Sequence, residues 1–188
     1  MKVSIFTQSF NAGGAEKIAV NLANYYITQK FRVFIFVLIN EGKLKQILNK
    51  NIRVIQIENS LLKSCISIFK KISIENGDIC IFCDRDISLL SIPIRLKAFF
   101  LKKKIENIVR EANIQTNSDL LNNKFLIFGY KLFVFLLMSL HKNIIANSLD
   151  TKKSLLKNSL ANKKNIRIIP NPVIDINMIN LERKKNFQ

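Results

Sequence analysis

Apolar positions along this chain switch repeatedly between two spacings. Lys2–Thr7 is a short, almost continuous apolar run, the pattern of a strand buried on both faces of a parallel sheet. From Ala15 the spacing turns helical: Ala15, Ile18, Ala19, Leu22, Ala23, Tyr26 and Ile27 fall on one stripe. Arg32–Ile39 reads as a second buried strand, Lys43–Leu48 as a short helix after Glu41-Gly42, and Ile52–Ile57 as a third strand. A helix over Leu61–Ile74 leads to a turn at Asn76-Gly77 and to the strand Asp78–Phe82.

The second half keeps the rhythm. Asp86–Phe100 suits a helix in which Pro93 makes a kink or sits in the first turn. Lys104–Arg110 is a strand, Asp119–Leu140 a long helix with an interruption at Gly129, and Asn143–Ala146 a strand. Ser148 or Asp150 caps a helix to Lys157, and Asn165–Ile169 is the last strand. Strands alternating with helices throughout predict an α/β fold, a doubly wound parallel sheet of about seven strands flanked by helices. A length of 188 residues suits one domain. Residues 1–175 form that domain, and the polar residues 176–188 read as a tail or interdomain linker.

Composition changes the picture mainly through charge. Thirty Lys and Arg against thirteen Asp and Glu give a formal net charge of +17. A surface that basic attracts polyanions, whether nucleic acid, anionic lipid headgroups or phosphates, or it is a set of solvated lysine faces. Cys80 and Cys83 make a C-x-x-C inside an apolar strand. Residues three apart on a strand point to opposite faces, so this pair suits neither a shared metal nor a disulfide and reads as small buried hydrophobes. The apolar run Phe125–Leu140 falls short of the ~20 residues that span a bilayer and carries Lys131. A secretory pattern is lacking at the start, where Thr7-Gln-Ser breaks the first apolar run. A cytoplasmic protein is expected, able to sit at the inner face of the cell membrane.

Three places carry candidate chemistry. Asn11-Ala-Gly-Gly-Ala-Glu-Lys17 joins the first strand to the first helix, where open parallel sheets gather phosphates. It lacks the third glycine of a dinucleotide fingerprint, and the glycines alone also suit a tight turn. Arg110 and Glu111 end a strand, as cleft residues or as an ion pair at the sheet rim. Lys97 and Lys102-Lys-Lys104 flank Phe99-Phe100-Leu101, with Tyr130, Lys131 and Phe133 further on. Such basic-aromatic pairing suits a membrane interface, or a core with lysines snorkelling at its edge. The sole histidine, His141, reads as a structural or solvent-facing cap rather than a base.

Gly13-Gly-Ala-Glu16 before an Ala/Leu-rich helix, Asn147-Ser148 after an apolar strand, and Ile169-Pro-Asn-Pro-Val173 after the last one form an ordered set. Together they resemble the family 4 retaining glycosyltransferases of GT-B architecture, over essentially the whole chain. The resemblance implies a Rossmann-like amino-terminal half that receives a glycan or lipid-linked acceptor, while a carboxyl-terminal domain grips the nucleotide-sugar. It implies substrate or phosphate contacts at Gly13, Gly14, Ala15, Glu16, Arg110, Glu111, Asn113, Asn147, Ser148 and Asn171. It implies no metal and no cofactor beyond the nucleotide-sugar cosubstrate of a complete enzyme, and no catalytic residue is assigned.

The chain departs from the family pattern at Ala112, where related sequences often carry histidine, and nothing resembling the donor motif follows Val173. The expectation is an acceptor-side domain that needs a donor-binding domain or chain and is inactive alone. The alternative is a non-catalytic module that binds an anionic membrane surface or a glycan. Nucleic acid is not an expected partner, since the basic residues are spread along the chain and form no nucleic-acid motif.

Overall fold

The computed structural model describes residues 1–58, 60–111, 132, 135–157 and 161–171. Seven parallel strands form one sheet: β1 Lys2–Thr7, β2 Arg32–Val37, β3 Arg53–Gln56, β4 Asp78–Phe82, β5 Ile105–Glu111, β6 Asn143–Ala146 and β7 Ile166–Ile168. Their order is β3-β2-β1-β4-β5-β6-β7. The strand order therefore reverses between β1 and β4, so the chain leaves these neighbouring strands in opposite directions. That divergence opens a crevice at their carboxyl ends. The architecture is the α/β, doubly wound, Rossmann-like arrangement that the alternating pattern predicts.

Each face of the sheet has its own core. Helix α1 (Gly14–Thr28) lays Ala19, Val20 and Ala23 against Val3, Ile5, Val33 and Ile35. Helices α2 (Leu61–Lys71), α3 (Ser91–Phe100) and α4 (Leu149–Lys157) cover the other face with Ile68, Ile94, Ala98 and Leu155. Period-two alternation sends Ile5 to one side and Phe6 to the other. In-register pairing of Phe6 with Phe36 and Phe82 then stacks three rings across β2, β1 and β4, with centroids 4.9 and 4.7 Å apart. Cys80 and Cys83 fall into opposite cores, and burial pushes both thiols up to about 12, which leaves them protonated and unreactive.

Several boundaries differ from the pattern-based reading. Strand β2 stops at Val37, and Ile39 beyond it is exposed. Helix α2 stops at Lys71 because Ile72 turns extended. The segment over Lys43–Ile47 is a 3-10 turn, and the single helix expected over Asp86–Phe100 is a 3-10 turn at Asp86–Leu90 followed by α3. Pro93 lies in the first turn of α3, where its missing N–H costs nothing. Of the long helix expected over Asp119–Leu140, residues 132 and 135–139 are helical, and most of the rest, Gly129 included, lies outside the described residues. The tail 176–188 also lies outside them.

His141 is fully buried, which excludes the solvent-facing cap. Its Nε2 sits 3.2 Å from Ser91 Oγ, and its ring packs edge-on to Phe82. Burial, and secondarily the nearby Arg95, lower its pKa from 6.5 to about 4. Between these values the unfolded chain binds a proton that the folded chain refuses, so stability must fall as pH drops from 6.5 towards 4. The expected loss is on the order of 2–3 kcal/mol. Thermal melts across this range check it. His141→Gln keeps a partner for Ser91 and should flatten the slope between about pH 5 and 6.5, whereas an unchanged slope would assign the acid sensitivity to carboxylates.

Candidate functional site at the carboxyl edge of the sheet

The crevice between β1 and β4 is built by the loops that leave their carboxyl ends. After β1, Gln8 turns across and its Nε2 donates to Asp84 Oδ2 at 3.0 Å, tying this loop to the one after β4. Phe10 is fully buried and anchors the middle of the loop, while Phe10 N donates to Glu41 O at 2.9 Å and Leu44 N donates to Phe10 O at 3.0 Å. The loop after β2 thus braces the one that carries the glycines.

Gly13 is the N-cap of α1, in extended conformation and with no side chain capping the helix. Neither Gly13 nor Gly14 has positive φ, so backbone geometry does not demand glycine at either position. Their use is space. A Cβ at Gly14 would meet nothing within 4 Å, and one at Gly13 would meet first the Glu16 carboxylate, 2.1 Å from Oε2. Glu16 therefore folds back over the helix start. It places an acceptor oxygen where the helix dipole favours negative charge.

Across the crevice, Arg110 is buried at the end of β5. Its Nη1 donates to Cys83 O at 3.3 Å and its Nη2 to Asn171 Oδ1 at 2.7 Å. No carboxylate forms an ion pair with Arg110 among the described residues. Arg110 bonds to the Cys83 carbonyl and the next residue, Asp84, to Gln8, so a cation and a carboxylate meet the loop after β4 at successive residues. Glu111 pairs instead with Arg85 at 3.7 Å, so the rim ion pair exists but does not involve Arg110.

The structure thus gathers Gly13, Gly14, Glu16 and Arg110 at one edge, with Asn171 holding Arg110 and Ala15 half-buried in the first turn of α1. Asn147 and Ser148 reach the same edge but are engaged in local structure. Ser148 Oγ accepts from Thr151 N at 3.0 Å and so caps α4, while Thr151 Oγ1 donates to Asn147 Oδ1 at 2.6 Å. Asn113, Ala112, Pro172 and Val173 lie outside the described residues, as do Tyr130, Lys131 and Phe133. Gln8, Asp84 and Arg85 are additions that the sequence reading missed. Each lies one to three residues beyond a strand end, and that position, with polar identity, was the available signal.

Together the fold and these loops define a doubly wound α/β domain with a polar crevice at its topological switch point. The sequence matches no protein-family model and no curated protein.

Proposed function

We propose that this domain is the acceptor-side, amino-terminal half of a GT-B glycosyltransferase similar to family 4, with donor binding supplied by a second domain or chain. One observation carries the reading. At the switch-point crevice a helix start with open space beside Gly14 lies on the same edge as a buried Arg110 that forms no ion pair among the described residues. The direct partners of Arg110 are neutral oxygens, so its charge can still attract an incoming anion. Asp84, next to the Cys83 that Arg110 holds, and Glu16, at the helix start, supply acceptors for hydroxyl groups. Acceptors for hydroxyls next to a donor set for a phosphate suit a sugar on a phosphate or diphosphate carrier.

In this mechanism the domain orients an acceptor hydroxyl at the crevice, and the diphosphate leaving group is stabilised mainly by the donor-binding half. The chain alone should transfer no sugar from a nucleotide-sugar, and adding the donor domain of a family 4 enzyme should restore transfer. Full activity of the isolated chain would overturn the division of labour.

Gly14→Ala separates binding from folding. With negative φ and free space at Gly14, alanine should stabilise the domain by about 0.5–1 kcal/mol. The methyl group should also crowd the ligand, lowering reconstituted transfer at least tenfold and weakening pyrophosphate binding by the domain alone. A Gly14→Ala variant that melts higher and binds pyrophosphate as before would remove the glycine loop from the site.

A further inference from the structure

At the opposite, amino-terminal edge of the sheet, the carboxyl end of α3 and the starts of β5 and β6 enclose a cleft of about 600 Å³. Its charged lining is Arg95, Lys103, Lys104 and Lys142 against a single acid, Glu106. Asn107, more than nine-tenths buried in its wall, has an Oδ1 with no hydrogen-bond partner among the described residues. Beside this cleft, α3 shows apolar residues on two sides. Pro93, Ile94 and Ala98 enter the core, while Ile92, Leu96, Phe99 and Phe100, at i, i+4, i+7 and i+8, form an outward stripe. Phe99 and Phe100 are 78% and 70% exposed, far beyond what a core helix leaves in water. Arg95 Nη1 donates to Leu140 O, bringing the exposed Leu140 beside α3. No Asp or Glu occurs anywhere in α3.

Helix α3 ends in a Schellman turn, with Lys103 N donating to Ala98 O at 2.9 Å and Lys102 N to Phe99 O at 3.0 Å. The residue in the left-handed position is Lys102, with φ 53°, where glycine would be the unstrained choice. A lysine at that position puts a third exposed cation next in sequence to the Lys103-Lys104 pair that lines the cleft, at some conformational cost.

We propose that this edge is a docking surface for an anionic lipid bilayer. Phe99, Phe100 and Leu96 enter the boundary between headgroups and acyl chains, and the cationic cleft takes an anionic headgroup such as that of phosphatidylglycerol. Apolar insertion and cationic rim together are what an interfacial helix needs, and each lysine near an anionic surface contributes about 1 kcal/mol. Charge complementarity selects this occupant over a second copy of the chain, since two such faces would repel each other. The surface lies at the edge of the sheet away from the crevice, so the proposal stands whether or not the domain transfers sugar.

The test is binding to vesicles of roughly 70:30 phosphatidylcholine and phosphatidylglycerol, a composition anionic enough to attract a basic surface. The chain contains no tryptophan, so Phe99→Trp supplies a single indole fluorophore whose emission should shift to the blue on binding. Affinity should fall at least tenfold between low and high salt and vanish on pure phosphatidylcholine. Phe99→Ser/Phe100→Ser and Lys103→Glu/Lys104→Glu should each lose at least tenfold. Lys102→Gly should lose about fivefold while melting no lower than the wild type. Lys43→Glu/Lys45→Glu makes the same change in net charge on the loop after β2 and should leave binding within twofold. An equal loss in that control would mean attraction by net charge alone and overturn the docking surface. So would tighter binding to RNA than to vesicles, or a stable dimer that hides the introduced fluorophore without vesicles.

Discussion

Replacing Asp78 with alanine is expected to destabilise the domain by about 3–5 kcal/mol, because it strands a buried cation. Lys2 Nζ lies 3.0 Å from Asp78 Oδ2, and the two side chains are 4% and 2% exposed. Lys2 also donates to Ser73, and its ammonium lies 5.8 Å from the centre of the Phe34 ring. The carboxylate does more than pair with it. Asp78 Oδ1 accepts from Lys2 N at 3.2 Å and Oδ2 from Glu75 N at 2.7 Å, so the side chain ties the start of β1 to the turn before β4. Asp78→Ala removes the counter-charge and two backbone acceptors at once. For a domain of this size the melting temperature should fall on the order of 10 °C. Lys2→Met/Asp78→Asn removes both charges and keeps an acceptor for the backbone, so it should recover at least half the loss. A double-mutant coupling under about 1 kcal/mol would show that the backbone contacts, and not the ion pair, matter. The pair sits at the edge away from the crevice, so ligand binding there should survive in the double variant.

What the sequence could tell about this domain follows from which interactions are local. Parallel strands are buried on both faces, so Lys2–Thr7, Asp78–Phe82 and Asn143–Ala146 stand out as apolar runs, and the observed strands coincide with them. The opposite-face argument for Cys80 and Cys83 needed only the pleat, and the two thiols do lie in different cores. Ends of elements were less legible, because they depend on what the next segment meets. Ile39 looked like strand until the chain turned it towards solvent, and Ile72 continues the α2 periodicity but leaves the helix. The site was legible as a location, since strand ends in an open α/β sheet face one edge. Roles within it were not. Asn147 and Ser148 reach that edge and are taken up by Thr151, while Gln8 and Asp84 bridge two loops 76 residues apart in sequence. No local pattern announces a contact that distant. His141 carried the same ambiguity, and only packing against Ser91 and Phe82 decides it.

Gly42→Ala is the second change expected to have a large effect, although Gly42 looked unremarkable beside the Gly13-Gly14 pair. Gly42 has φ 132° and ψ 158°, a region that is essentially closed to residues with a side chain. A Cβ there would lie 2.1 Å from Phe10 C, 2.2 Å from Phe10 O and 2.4 Å from Asn11 N. These are backbone atoms of the loop that leads to α1, so no rotamer change can relieve the clash. Phe10 cannot retreat, because its ring is fully buried and its backbone is bonded to Glu41 and Leu44. Backbone strain and overpacking then add, at about 3 kcal/mol or more. Hydrogen exchange at the Phe10 and Leu44 amides should rise most, since their bonds must open to admit the methyl group. The effect should reach the crevice too, because the same loop positions Gly13 and Gly14. Gly42→Ala is therefore expected to lower stability and pyrophosphate binding together, where Gly14→Ala lowers binding alone. Were Gly42→Ala to melt within about 2 °C of the wild type, the close approach of these two loops would be disproved, and with it the bracing of the candidate site.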